Sequence, residues 1–327
     1  MLPISLDDIS RAAERIGRIA HRTPVLASRI FDERAGCAAV FKCENLQRGG
    51  AFKIRGAANF IYSIAAADVK RGVVAYSSGN HAQAVAIAAA SVRAQATIVM
   101  PRDAPESKLQ ATRGYGARII TYDRFKEDRE AIGRRVAQKS GATLVPPYDH
   151  PWIMAGQGTA ALELLDEAPD IDALVAPIGG GGLISGCAVA AKGRKAGVRV
   201  FGIEPAGAND TFLSLKFGQR VGIPTPETCA DGLRATKPGE LTYSVIRQCV
   251  ESVLLVSEEE IRAAMAFLLT RMKVLVEPSG AVSAAAVLFR KLPHEIRRPG
   301  IILSGGNVDL EFIETLTRKP AEANGRG

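Results

Sequence analysis

IDALVAPIGGGGLISG (171–186) decides how the rest of the chain is read. An apolar run this short, bounded by glycine, reads as a strand buried on both faces. The four glycines then open a helix that runs from Leu183 to about Lys195. Consecutive glycines leave several backbone N–H groups free to converge on an anion, and the helix N-terminus adds positive potential. The Walker pattern GxxxxGK[ST] is absent. A dinucleotide fingerprint fits poorly, because only Glu204 stands near the position of a ribose-binding acid. The stretch therefore reads as a phosphate cradle, with a purely structural turn as the alternative.

Outward from this point, strand and helix alternate. Strands are expected at 38–44, 72–78, 96–101, 117–122, 143–148, 171–179, 199–205, 252–257 and 300–307. Helices are expected at 54–67, 79–92, 105–115, 124–140, 154–167, 183–195, 258–272 and 281–290. Ser257 followed by Glu260 is a capping box for the helix at 258. Residues 206–240 read as irregular, and the tail KPAEANGRG as disordered. Repeated strand–helix–strand units with continuous apolar strands mean an α/β fold, with mostly parallel sheets covered by helices. Three glycine-bearing motifs directly follow strands: SSGNH (77–81), GGGG (179–182) and SGGN (304–307). Ligands bind at the carboxyl ends of such strands, so the three motifs point to one shared site.

The composition agrees. The chain has 327 residues, 47% hydrophobic and 23% charged, with a net charge of +8. That length suits one large or two medium domains. No basic block suggests nucleic acid, and the acid-bearing N-terminus MLPISLDDIS is unlike a signal peptide. The run from Ala82 to Val92 is too short for a membrane span of about twenty residues. Five cysteines with no CxxC pair are expected to be reduced. A soluble cytoplasmic protein is the expectation.

Lys53 lies between Phe52 and Ile54 at a helix start. Partial desolvation there would favour the neutral amine that carbonyl chemistry requires; a surface lysine is the alternative. In SSGNH, the exposed N–H groups of a helix start suit a carboxylate, although helix capping alone would explain the residues. Glu204 and Asp210 flank PAGAN and either hold a hard cation or are solvated loop acids.

Taken together, GAFKIRGA (50–57), SSGNHAQAVA (77–86), AGQGT (155–159), PIGGGGLISG (177–186), EPSGA (277–281) and LSGGNVD (303–309) resemble the fold type II pyridoxal-phosphate enzymes. Within them, the chain is similar to the serine/threonine dehydratase and serine racemase group over roughly residues 5–315. The resemblance implies two open, twisted, mostly parallel sheets covered by helices. It implies a large cofactor domain (1–71 and 149–327) and a small mobile domain (72–148). It implies that Lys53 carries pyridoxal 5′-phosphate, with Phe52 beside the ring and Asn80 at the ring hydroxyl. Gly179, Gly180, Gly181, Gly182 and Leu183 would bind the phosphate, and Ser304 would face the pyridine nitrogen. Ser77, Ser78, Gly79, Asn80 and His81 would hold the substrate carboxylate. Ser78 also matches the serine that faces the cofactor opposite the lysine in the racemases. Glu204, Ala208 and Asp210 match the ligands of a Mg²⁺ or Ca²⁺ ion.

The expected activity is that of an ammonia-lyase (dehydratase) converting a β-hydroxy amino acid, L-threonine or L-serine first, to a 2-oxo acid and ammonia. A neutral serine at the ring nitrogen makes a weaker electron sink, which suits rapid loss of a β-leaving group better than transamination. The alternatives are a serine racemase, and a dehydratase of 3-hydroxyaspartate, phenylserine or a hydroxyectoine-pathway substrate; a non-enzymatic binder is a further rival. The expected partners are a small amino-acid substrate and a second copy in a homodimer, with neither nucleic acid nor membrane. The catalytic pattern ends near residue 315, so no C-terminal regulatory domain is expected.

Overall fold

The computed structural model describes residues 2–104 and 106–317. Its ten strands are β1 (Val25–Ala27), β2 (Val40–Cys43), β3 (Val73–Tyr76), β4 (Ala96–Pro101), β5 (Arg118–Tyr122), β6 (Thr143–Leu144), β7 (Ala173–Pro177), β8 (Arg199–Pro205), β9 (Ser252–Val256) and β10 (Pro299–Leu303). They form two sheets. One has six strands in the order β1-β2-β10-β7-β8-β9, and the other has four in the order β5-β4-β3-β6. All pairings are parallel except β1 with β2 at one edge.

The continuous apolar strands follow from helices on both faces of the larger sheet. On β7, Leu174 and Ala176 join the core under the helices Pro151–Glu167 and Gly182–Arg194. Val175 points the other way, into the core under Glu258–Phe267 and Pro278–Leu288. Around the smaller sheet, Val73, Ala75 and Ile98 pack with Ile54, Ala58 and Val85.

Several boundaries differ from the sequence expectation, each for a local reason. The strand expected over 143–148 stops at Leu144, because Pro146 and Pro147 cannot donate to a ladder. The helix expected over 54–67 begins at Lys53 and breaks after Ser63, then resumes at Ala66–Val69. The helix expected from Met154 begins at Pro151, where His150 accepts from the Trp152 N–H and proline occupies the first turn. The helix expected over 258–272 changes to π-helix at Leu268–Met272, although its capping box is present. The segment 206–240 contains a helix, Asp210–Phe217. The strand β1 and the helices Leu6–Ile16, Arg29–Ala35, Glu240–Cys249 and Leu310–Thr317 are not expected from the sequence pattern. The tail KPAEANGRG lies outside the described residues.

A buried quartet of charges fixes the helix that Lys53 heads. Arg55, two residues on, is fully buried. Its guanidinium donates to both Glu44 oxygens (2.7 and 2.8 Å) and both Glu163 oxygens (2.7 and 2.8 Å). Lys42, also fully buried, completes the quartet with its ammonium 2.6 Å from Glu163. Two cations and two carboxylates cancel, so no unpaired charge is left in the core. The quartet joins β2, the Lys53 helix and the helix Pro151–Glu167.

Candidate active site

Three strand ends converge, as the three motifs require. β3 runs into 77–81, β7 into 179–182 and β10 into 304–307, each at a carboxyl end. Lys53 opens the helix Lys53–Ser63, whose cap residue Phe52 supplies no side-chain hydrogen bond. Phe52 instead donates its N–H to the Ser304 carbonyl at 3.1 Å, and Ala51 pairs with Gly305. The lysine is thereby stitched to the end of β10.

The Lys53 side chain is half-buried, with its Nζ donating to the Pro147 carbonyl at 2.8 Å and 5.3 Å from the centre of the Phe52 ring. Burial pulls its pKa from 10.5 down to about 8. The helix N-terminus acts in the same direction. The result is a primary amine with a substantial neutral fraction near neutral pH.

The glycine loop meets the expected form. Gly181 has φ of 92°, a conformation that suits glycine, and caps the helix Gly182–Arg194 without a side-chain hydrogen bond. The first-turn N–H groups of that helix are donors for an anion. A Cβ on Gly180 would overlap the Tyr148 ring, so the loop and that ring lie in direct contact. Thr242 Oγ1 donates to the Gly180 carbonyl at 2.8 Å. Asp149, next to Tyr148, accepts the N–H groups of Glu240, Leu241 and Thr242 at 2.9, 2.9 and 3.1 Å. The Tyr148 segment is thus braced against the helix Glu240–Cys249.

Across the cleft, Ser77 Oγ accepts the Gly79 N–H at 3.2 Å, and the outward direction of Gly79 meets no atom within 4 Å. Ser78 is half-buried beside it. Asn80 opens the helix Asn80–Ser91 and donates to Glu277 at 2.7 Å. Asn307 donates to the Asn80 amide oxygen at 2.8 Å and to the Gly49 carbonyl at 2.7 Å. Burial, with Asp231 second, pushes the Glu277 carboxyl up to about 8. His81 is turned inward, its Nε2 3.2 Å from the Val145 carbonyl. Burial and then the Lys53 ammonium drive its pKa down to about 3. The ring is therefore neutral, and what residue 81 offers an anion is its backbone N–H. Ser304, also buried, donates its hydroxyl to the Ser279 carbonyl at 3.2 Å.

Glu277, Asn307, Lys108 and Asp231 were not singled out from the sequence. Lys108 Nζ and Asp231 Oδ2 pair at 2.7 Å, joining the helix Glu106–Gly114 to the loop that packs on Gly179. Glu277 and Asn307 stand inside EPSGA and LSGGNVD, so the motifs were visible while the individual roles were not. Nothing in the sequence pattern marks the Lys108–Asp231 pair.

Glu204, Ala208 and Asp210 are all fully buried at the end of β8. Glu204 accepts the N–H groups of Thr211 and Phe212 at 3.1 and 2.9 Å. Both Asp210 carboxylate oxygens are buried without a hydrogen-bond partner. Burial raises the two carboxyls to about 8 and about 7, with the Asp210 charge adding to the effect on Glu204. Among the described residues no three His, Cys, Asp or Glu side chains cluster for a metal. The two buried carboxylates carry oxygen donors of the kind that a hard cation takes.

Residues 17–305 match the pyridoxal-phosphate dependent enzyme family, and the chain belongs to it. It is 48% identical to an L-threo-3-hydroxyaspartate ammonia-lyase of Saccharomyces cerevisiae, over 97% of each chain. It is 47% identical to a serine racemase of Schizosaccharomyces pombe, over 93% of this chain and 94% of the relative. The fold matches the structure of maize serine racemase with a TM-score of 0.93, at 44% identity and 96% coverage of both chains. The protein is thus a fold type II enzyme that uses pyridoxal phosphate. Among its described residues, no helix is long and apolar enough to cross a membrane.

The cleft fits that cofactor: a desolvated amine meets the needs of an aldehyde, and an uncapped glycine-led helix meets those of a phosphate. In cofactor-free protein, the rate at which Lys53 captures pyridoxal 5′-phosphate should rise with pH and level off with a midpoint of about 8. Only the neutral amine reacts, so the lowered pKa moves the rise toward neutral pH. Stopped-flow absorbance measures it. A midpoint near the ordinary 10.5 would contradict the desolvated site.

Proposed function

We propose that this enzyme is an ammonia-lyase that converts a β-hydroxy amino acid to a 2-oxo acid and ammonia. The observation that carries this reading is the pairing of the dry Lys53 amine with a neutral hydroxyl, Ser304, on the adjoining turn. Bound between them, pyridoxal phosphate supplies an electron sink for the pair left when Cα loses its proton.

The protein's own groups supply the rest. The glycine loop 179–183 holds the phosphate through backbone N–H groups. Ser304 would face the ring nitrogen with a hydroxyl and no negative charge, and so would not hold a proton there. Ser77 to His81 hold the substrate carboxylate at the start of the helix Asn80–Ser91. Lys53, freed by the incoming amino group, takes the Cα proton, and its pKa of about 8 suits a general base near neutral pH. The β-hydroxyl leaves as water, with the proton that Lys53 took from Cα balancing the one it gains. The released enamine tautomerises, and water hydrolyses it to the 2-oxo acid and ammonia. The contacts Asn80–Glu277 and Lys108–Asp231 bridge the 72–148 segment to the rest, and we assign to them closure of the cleft around substrate.

For the β-substituent, the reading favoured is a carboxylate, with L-threo-3-hydroxyaspartate as substrate ahead of L-threonine and L-serine. One observation supports it: the relative from S. cerevisiae matches along nearly the whole chain. Racemisation is a second reading, favoured by Ser78, a half-buried hydroxyl next to the open face of Gly79; it needs that hydroxyl to act on the face opposite Lys53. We also assign Glu204, Asp210 and the Ala208 carbonyl to a divalent cation that orders the loop after β8.

Steady-state release of 2-oxo acid from L-threo-3-hydroxyaspartate, L-serine and L-threonine tests the substrate. The kcat/KM for L-threo-3-hydroxyaspartate should exceed that for L-serine and for L-threonine by at least about tenfold. The reverse order would contradict the carboxylate reading. Chiral chromatography of the L-serine reaction should show pyruvate exceeding D-serine; the reverse selects the racemase. Chelator-treated protein should melt lower and recover with Mg²⁺ or Ca²⁺. An unchanged melting temperature would remove the metal assignment.

A further inference from the structure

AGQGT (155–159) lies in the middle of the helix Pro151–Glu167, between the helix that Lys53 heads and the helix that the glycine loop feeds. It touches both through backbone. A Cβ on Gly156 would stand 2.5 Å from the Arg55 carbonyl oxygen and 2.7 Å from Gly56 Cα. A Cβ on Gly56 would overlap the Gln157 amide and stand 2.9 Å from the Ile153 carbonyl. On the other flank, a Cβ on Gly158 would lie 2.6 Å from the Gly186 carbonyl oxygen, and one on Gly186 would overlap the Met154 carbonyl. At Gly156, Gly158 and Gly186 backbone meets backbone, and at Gly56 the Gln157 amide fills the contact. Polar bonds pin the first contact: Gln157 Oε1 accepts the Gly56 N–H at 3.1 Å, and Thr159 Oγ1 accepts from Arg55 at 3.0 Å.

Both contacts fall about one turn from a functional end. Gly56 is three residues beyond Lys53, and Gly186 is four beyond Gly182. We infer that AGQGT is a spacer: it sets the separation between the Lys53 amine and the N–H groups of 179–183, so that one rigid ligand is gripped at both ends at once. The inference rests on the reading that these are the cofactor's two attachments. The second attachment is intramolecular, and its strength depends on whether the span matches the ligand. Close-packed backbones cannot yield by tenths of an ångström without moving a whole helix. An added methyl at 156 or 158 therefore changes the span and leaves each grip intact.

The test compares two ligands on cofactor-free protein: pyridoxal 5′-phosphate, which engages both grips, and pyridoxal, which engages only the amine. Wild type should bind the phosphorylated ligand at least about 100-fold more tightly. Gly156→Ala and Gly158→Ala should each cut that ratio by about tenfold or more, with pyridoxal affinity kept within about threefold. Gly193→Ala, on the same helix as Gly186 but facing the Leu6 side chain at 2.9 Å, is the control for crowding and should keep the wild-type ratio. Should neither variant at 156 or 158 fold, Gln157→Ala, which adds no atom, must lower the ratio in the same way. A preserved ratio in the folded variants, beside a wild type that prefers the phosphorylated ligand, overturns the spacer alone. A wild type with no such preference overturns the two-point attachment, and the spacer with it.

Discussion

A primary amine kept out of water is the constraint around which the cleft is built. A lysine in a carboxylate's reach would stay charged and inert toward an aldehyde. Here the buried carboxylates Glu44 and Glu163 are paired with Arg55 and Lys42. The amine is left with a carbonyl, that of Pro147, which accepts a hydrogen bond without adding charge. That carbonyl exists in this place because the chain leaves the small sheet early, at two prolines. The Tyr148 and Asp149 that follow then brace the phosphate loop and the helix Glu240–Cys249.

The same segment thus touches both ends of the site. The opposite wall comes from the other sheet, through Ser77 to His81. The two walls meet through side chains that neither sheet contributes alone: Asn80 with Glu277 and Asn307, and Lys108 with Asp231. Glu277 is held in a dry, acid-rich spot that favours its protonated form. A neutral carboxyl there gives the Asn80 bond a milder partner than a buried carboxylate would.

Much of the fold was legible where the pattern is local. β7 and β10 read directly as uncharged runs ending in glycine, and Lys53 and the loop 179–182 lie where their motifs put them. The first 37 residues carry no comparable apolar run, although Ser5 and Asp8 form the same kind of capping box as Ser257 and Glu260. The helix Asp210–Phe217 was hidden by the glycines at 207 and 218 and by its length of eight residues. What no periodicity can show is partnership at a distance. Lys42 and Glu44 fall in the strand expected at 38–44, yet both are fully buried and held by groups over a hundred positions away or on another helix. The inward turn of the His81 ring depends on Val145, which sequence does not bring near.

The central claim is that Lys53 is the amine that carries the cofactor. Borohydride reduction of the enzyme loaded with pyridoxal 5′-phosphate, followed by peptide mass spectrometry, tests it most directly. The account predicts one pyridoxyl label, on the peptide that contains Lys53. A label on Lys42, Lys108 or any other lysine, with Lys53 unmodified, would contradict it.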